Sequence, residues 1–161
     1  MGANELSALL WRERELLDLL TFKLTEEQLL LTGGHARWLA HATAEVESTV
    51  NRLREAGLAR AVQASVVAQE WGIEGDASIS QIADAAPAGP WGDLLRAHMT
   101  AMATQAAQIT TLRDSNTNFL RAASRSTQET LASLHPESGT YDSHGVAGKE
   151  TVTMSLLDTE L

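Results

Sequence analysis

The chain has 161 residues, enough for one domain, with 43 % hydrophobic side chains, only 4 % aromatic ones and no cysteine. Disulfides and thiolate metal sites are therefore excluded, and the core must be aliphatic. With 12 basic against 21 acidic side chains the formal charge is -9, which repels phosphate backbones and anionic lipid surfaces and argues against nucleic-acid binding. Neither a signal-peptide n-region in Met1 to Glu5 nor a membrane-spanning apolar run is found, so the protein is expected to be cytoplasmic, with no membrane insertion.

The first predicted element, Leu6 to Leu31, organises the rest. Written as heptads, Leu10, Leu17, Leu24 and Leu31 occupy every a position, with Leu6 and Leu20 at alternate d positions. Leu9, Leu16 and Leu30 widen the stripe on one flank. Glu13 and Glu27 fill the other d positions. The pattern is an amphipathic helix of roughly 40 Å, and its apolar face requires other long helices beside it. Fourteen residues apart, the two carboxylates cannot flank one bond; they are expected to pair with arginines or to lie at a solvated edge.

Thr32-Gly33-Gly34 stops this helix, with glycine at C′ where φ turns positive, and so short a break folds the next helix back antiparallel. The second helix is expected to start near His35 and to turn Trp38, Leu39, Ala42, Val46, Val50 and Leu53 inward. After a change of register at Gly57, Leu58, Val62 and Val66 are expected to continue that face to Trp71. Between Gly72 and Gly92 the periodicity fails, except that Ser78 to Gln81 has the S-x-x-Q form of a capping box before a short helix over Ile79 to Ala85. Trp71 and Trp91 are expected to cover the core there.

A third long helix runs from about Trp91 to Leu134, with Leu95, Met99, Met102, Ala106, Ile109, Leu112, Leu120, Ala123, Leu131 and Leu134 at helical spacing. It is longer than the first, so part of its apolar face is left without an internal partner. Asn116 interrupts that face, as register-setting polar residues do in coiled coils. His135-Pro136 closes the helix. The fold class is all-α: an elongated antiparallel bundle or coiled coil of three long helices with a short connector helix. The helical domain covers 1–136, and 137–161, rich in Ser, Thr, Gly and Asp, is expected to be a flexible tail.

Chemistry of the catalytic kind is missing. None of His35, His41, His98, His135 or His144 is preceded at three residues by Glu, and no H-E-x-x-H occurs, so no metal or other cofactor is expected and the histidines read as solvated. A metal-dependent helical-bundle enzyme is the weaker alternative, and a generic adaptor that self-associates through its stripe, as a homodimer, is the stronger.

Leu112-Arg113-Asp114, Asn116, Asn118 and Leu120, a polar helix to Leu131 and Leu134, then Thr140-Tyr141-Asp142 with Gly145, resembles the FlgN family of flagellar export chaperones. The N-terminal half agrees in layout, with Glu26 to Gln28, the glycine break, Trp38-Leu39 and Glu45 to Glu47. The resemblance implies a cytoplasmic, non-enzymatic chaperone of flagellar type III export. Its clients would be the hook-associated proteins of the hook–filament junction, held by their C-terminal helical segments and delivered to the export gate. By position Tyr141 would dock on the cytoplasmic domain of the gate protein. Spare apolar surface at Leu120, Leu131 and Leu134, with Met154, Leu157 and Leu161 of the tail on one helical face, is the expected client site.

Overall fold

The structure, a computed structural model, describes residues 2–73 and 76–134. It has four helices: α1 (Gly2–Thr32), α2 (Ala36–Glu70), α3 (Ile79–Asp84) and α4 (Trp91–Leu134). Two compact units divide at Ser124, the first being Met1–Ser124 and the second Arg125–Leu161, so the boundary falls inside α4. Within the first unit the helices form a bundle, with no strand among the described residues.

Leu6, Leu10, Glu13, Leu17, Leu20, Leu24 and Glu27 are all buried, a strict alternation of three and four residues that gives α1 one dry seam. Leu31, the last heptad position, is only half-buried. The helix ends as the glycines require. The amide of His35 donates to the Leu30 carbonyl at 3.0 Å, and Gly34 has φ +73°, the left-handed cap that L side chains resist. The same device ends α2, where Gly72 has φ +74° and the Ile73 amide donates to Ala68 at 2.8 Å.

α2 returns antiparallel. Gln63 reaches Gly2, Arg60 reaches Glu13 and Thr43 reaches Glu27. Its seam is made of small side chains: Ala42, Thr49, Ala56, Ala64, Val67 and Ala68 are buried. Small residues let the two backbones close up, and Cα atoms of α1 and α2 lie within 8 Å of each other. The inner face runs through Ala42, Val46, Thr49, Leu53, Ala56, Arg60, Ala64, Val67 and Trp71 at unbroken steps of three and four, so the register change expected at Gly57 does not occur. Leu58 and Val62 are 70 % and 68 % exposed, Val66 is exposed with them, and Trp38 stands half out at the other end. Alanine fits where the helices touch; the larger aliphatics at these positions do not.

At one end of the unit Leu6, Leu10, Ala64, Val67, Ala68, Ile82, Ala83 and Leu95 form the densest core. α3 supplies two of these, started by the expected capping box: Ser78 Oγ accepts from the Gln81 amide at 3.3 Å and Gln81 Oε1 accepts from the Ser78 amide at 2.8 Å. Trp71 packs on this core, whereas Trp91 is half-buried at the start of α4 and outside it. Arg96 fastens the C-terminal end of α3 to α4 by donating to Asp84 at 3.0 Å.

Glu13 is the one acidic d position that pairs with arginine: Arg60 Nε lies 2.6 Å from Glu13 Oε2. Breaking one side of a buried pair costs roughly 3–5 kcal/mol, less where water reaches the partner. Arg60→Ala should therefore destabilise the protein by about 2 kcal/mol in a urea titration, while Glu13→Leu with Arg60→Met should be neutral or stabilising. A double variant as unstable as the single one would contradict this account.

Candidate functional site

The α1–α4 seam mixes apolar side chains with polar ones, and the polar ones link the two helices directly. Gln28 donates to Ser115 at 2.9 Å; Gln105 donates to the Arg14 carbonyl at 3.3 Å and to the Asp18 carboxylate. Partners are 84 to 92 residues apart throughout, a constant offset that makes α1 and α4 parallel. Inward positions of α4 are Leu95, His98, Met102, Gln105, Ile109, Leu112 and Asn116, all buried or half-buried; Ala106, expected inside, is exposed.

His98 is a correction to the expectation of solvated histidines, because it is buried. Arg14 Nη1 lies 3.5 Å from Nδ1, and Ser7 Oγ lies 3.4 Å from Nε2. A guanidinium only donates, so Nδ1 accepts and Nε2 carries the proton toward Ser7. The Trp11 ring meets the imidazole edge-on at 5.0 Å, with the Arg14 guanidinium 4.3 Å over the indole. Burial first, and then the Arg14 charge, push the His98 pKa below its usual 6.5.

Further along, Glu27 joins three helices. Its Oε1 accepts from Thr43 of α2 at 2.8 Å and its Oε2 from Asn116 Nδ2 of α4 at 3.0 Å. The same Asn116 amide donates to the Leu24 carbonyl at 2.8 Å. Asn116 does interrupt the apolar face, as expected, and what it recognises is a carboxylate. Beside this node Lys23 bridges Glu45 of α2 and Glu26, and those two hydrogen bonds, Glu45 foremost, raise its pKa.

At the offset set by these pairs, the end of α1 is level with the Phe119–Leu120–Arg121 turn of α4. Phe119 and Leu120 are 42 % and 40 % exposed. In the second unit Leu131 and Leu134, on the same continuous helix, are 55 % and 69 % exposed. Three of the expected client-site residues thus stand in water on α4. Phe119, one heptad after Leu112 and three residues after Asn116, belongs beside them and is absent from the expected site. Tyr141, Met154, Leu157 and Leu161 lie outside the described residues. Among the described residues no group of three His, Cys, Asp or Glu could hold a metal ion, and no helix is long and apolar enough to cross a membrane.

The family model for FlgN protein matches residues 1–149. The chain belongs to the FlgN family. No curated protein and no solved structure gives a match. The family is one of flagellar type III export chaperones, not of enzymes, which sets aside the metal-dependent alternative. Its matched span includes Tyr141 and ends before Met154, Leu157 and Leu161.

The His98 seam gives a pH signature. A histidine whose folded pKa lies below 6.5 takes up its proton more readily unfolded, so stability is full above pH 6.5 and falls as pH drops below it. The loss approaches about 1.4 kcal/mol for each unit of depression. The thermal midpoint of the wild type should fall between pH 6.5 and 5, with a shallower slope in His98→Gln; equal slopes would assign the effect to other groups.

Proposed function

We propose that this FlgN-family chain works in the cytoplasm, holding the C-terminal helical segments of hook-associated, hook–filament junction proteins and delivering them to the export gate. The observation that carries the reading is the change of surface along α4. Up to Asn116 the inward positions have α1 as a partner; at Phe119 and Leu120 large apolar side chains stand in solvent. An amphipathic client helix laid on such side chains loses its own sticky face to the chaperone, which stops it from self-associating before export. Each Leu or Phe fully covered contributes about 1.5–3 kcal/mol, so a handful of them gives a grip that can still be released. Leu131 and Leu134 offer the same kind of side chain.

The labour divides at residue 136. Residues 1–136 are the chaperone domain and 137–161 a tail whose Tyr141 docks on the cytoplasmic domain of the gate protein, with Met154, Leu157 and Leu161 adding apolar grip on the client. This role for Tyr141 rests on family position.

Leu120→Asp combined with Leu131→Asp should weaken capture of a junction protein's C-terminal segment at least about a hundredfold, equivalent to some 2.7 kcal/mol, while far-ultraviolet helicity persists. Loss of helicity would instead place these residues in the core, and unchanged capture would remove α4 from the client site. Tyr141→Ala should leave capture intact and lower export of the client in a flagellated cell. Export at the wild-type level would refute the docking role.

A further inference from the structure

Glu27, Thr43 and Asn116 meet in one layer of the three-helix seam, and the helical repeat sets what comes next. Four residues past Glu27 is Leu31, and four before Thr43 on the antiparallel α2 is Leu39. Three and four past Asn116 are Phe119 and Leu120. The Glu27 layer is closed, with Glu27 and Asn116 buried. The next, wholly apolar layer is open: Leu31 and Leu39 are only half-buried, and Phe119 and Leu120 stand in solvent. At the same end of the hairpin Leu30, Trp38 and His41 help to line a depression of about 200 Å³. Charge is as uneven as exposure. The chain has a net charge of -9, yet residues 28–44 and 115–124 contain no Asp or Glu and two arginines, Arg37 and Arg121. Both are exposed, and among the described residues neither has an ion pair. Glu26, Glu27 and Glu45 lie further from the open end and are held by Lys23, Thr43 and Asn116.

We propose that this open layer is the docking site of residues 150–161 of the same chain, which cover it until a client helix takes their place. The segment has the complementary chemistry. Met154, Leu157 and Leu161 recur at helical spacing, and Glu150 and Asp158 border the face they would form. Its three carboxylates, Glu150, Asp158 and Glu160, are accompanied by no basic side chain. Most of this acidic protein repels such a segment, and an end that carries only arginines attracts it. Chain length permits the return. Fourteen residues of helix, about 21 Å, separate Leu120 from Leu134, and the twenty residues from Leu134 to Met154 extend to about 66 Å. A tether of this kind makes the contact intramolecular, so a weak intrinsic affinity is enough to keep the layer covered. The FlgN model ends at residue 149, so the covering segment lies outside the family match. As a cover over Phe119 and Leu120 it rests on the client reading and adds a condition to it. A client has to outcompete the segment, after which Met154, Leu157 and Leu161 are free to close over the client.

Docking is tested without a client, so its failure leaves the client reading standing. The chain has no cysteine, and Ser155→Cys therefore gives a single site for a nitroxide label. In the free full-length chain the label should broaden the amide resonances of Leu31, Leu39 and Phe119 and leave those of Leu6 and Leu10, at the far end of α1, sharp. Dilution should not change the pattern. Glu150→Lys with Asp158→Lys should abolish the broadening, and so should Arg37→Glu with Arg121→Glu. All four changes in one chain should restore it, which also shows that the variants fold. Equal broadening at both ends, broadening that dilution removes, or charge variants that leave it unaltered would overturn the proposal. Competition is read with a peptide of a junction protein's C-terminal helical segment. A site covered in about nine chains of ten binds about tenfold more weakly than an open one, so Glu150→Lys with Asp158→Lys should bind the peptide about tenfold more tightly than the wild type. Equal binding would overturn the covering role. No binding by either chain, with the broadening intact, would strike the client reading and leave the docking.

Discussion

The carboxylate of Glu27 is the constraint around which the three long helices are set. It sits on the dry seam of α1, accepts from Thr43 on α2 and from Asn116 on α4, and so fixes the level of both neighbours at once. An all-leucine seam would satisfy the hydrophobic effect in any register one heptad apart, because area burial is indifferent to which leucine meets which. A buried acceptor is not indifferent: moved by one turn it loses its donors and keeps the desolvation cost. Glu13, held by Arg60, does the same two heptads earlier for α2 alone. The helix is thus greasy where it needs stability and charged where it needs a unique alignment.

The two seams that meet on α1 differ in the side chains that fill them. Against α2 the contact is small and close, alanine after alanine, so that backbones approach and dispersion does the holding. Against α4 the apolar Leu95, Met102, Ile109 and Leu112 alternate with polar links made by Gln28, Gln105, Arg14, Asp18 and His98. Arg14 Nε, Gln105 Oε1 and Asn116 Oδ1 are buried there without a hydrogen-bond partner among the described residues. Unsatisfied buried polar atoms weaken an interface.

How much of this can be read from the chain depends on which residue type marks a face. Leucine marks α1 without ambiguity, and the glycine breaks and the Ser78–Gln81 box declare themselves by local chemistry that does not depend on tertiary contacts. α2 misleads because hydrophobicity ranks Leu58, Val62 and Val66 above Ala56 and Ala64, whereas the close approach of α1 selects for small volume. His98 is illegible for another reason. Nothing within α4 says that Ser7, Arg14 and Trp11, some ninety residues earlier, will enclose it. Leu120, Leu131 and Leu134 are legible as surplus because helix length is legible; Phe119 is equally legible, since it continues the three-and-four spacing through Leu112 and Asn116.

That surplus follows from arithmetic on helix length together with the Glu27 node. Once Glu27 and Asn116 fix α4 alongside α1, α1 ends at the level of residues 119–121, while the first-unit part of α4 runs on to Ser124. The excess must fall at the C-terminal end, because the N-terminal end of α4 is fastened by Arg96 and by Leu95 in the core. If these positions were polar, the mismatch would be only a longer solvated helix. They carry phenylalanine and leucine instead, side chains that cost free energy in water and gain it under a cover. The same node that gives the bundle one register therefore decides where its apolar excess emerges.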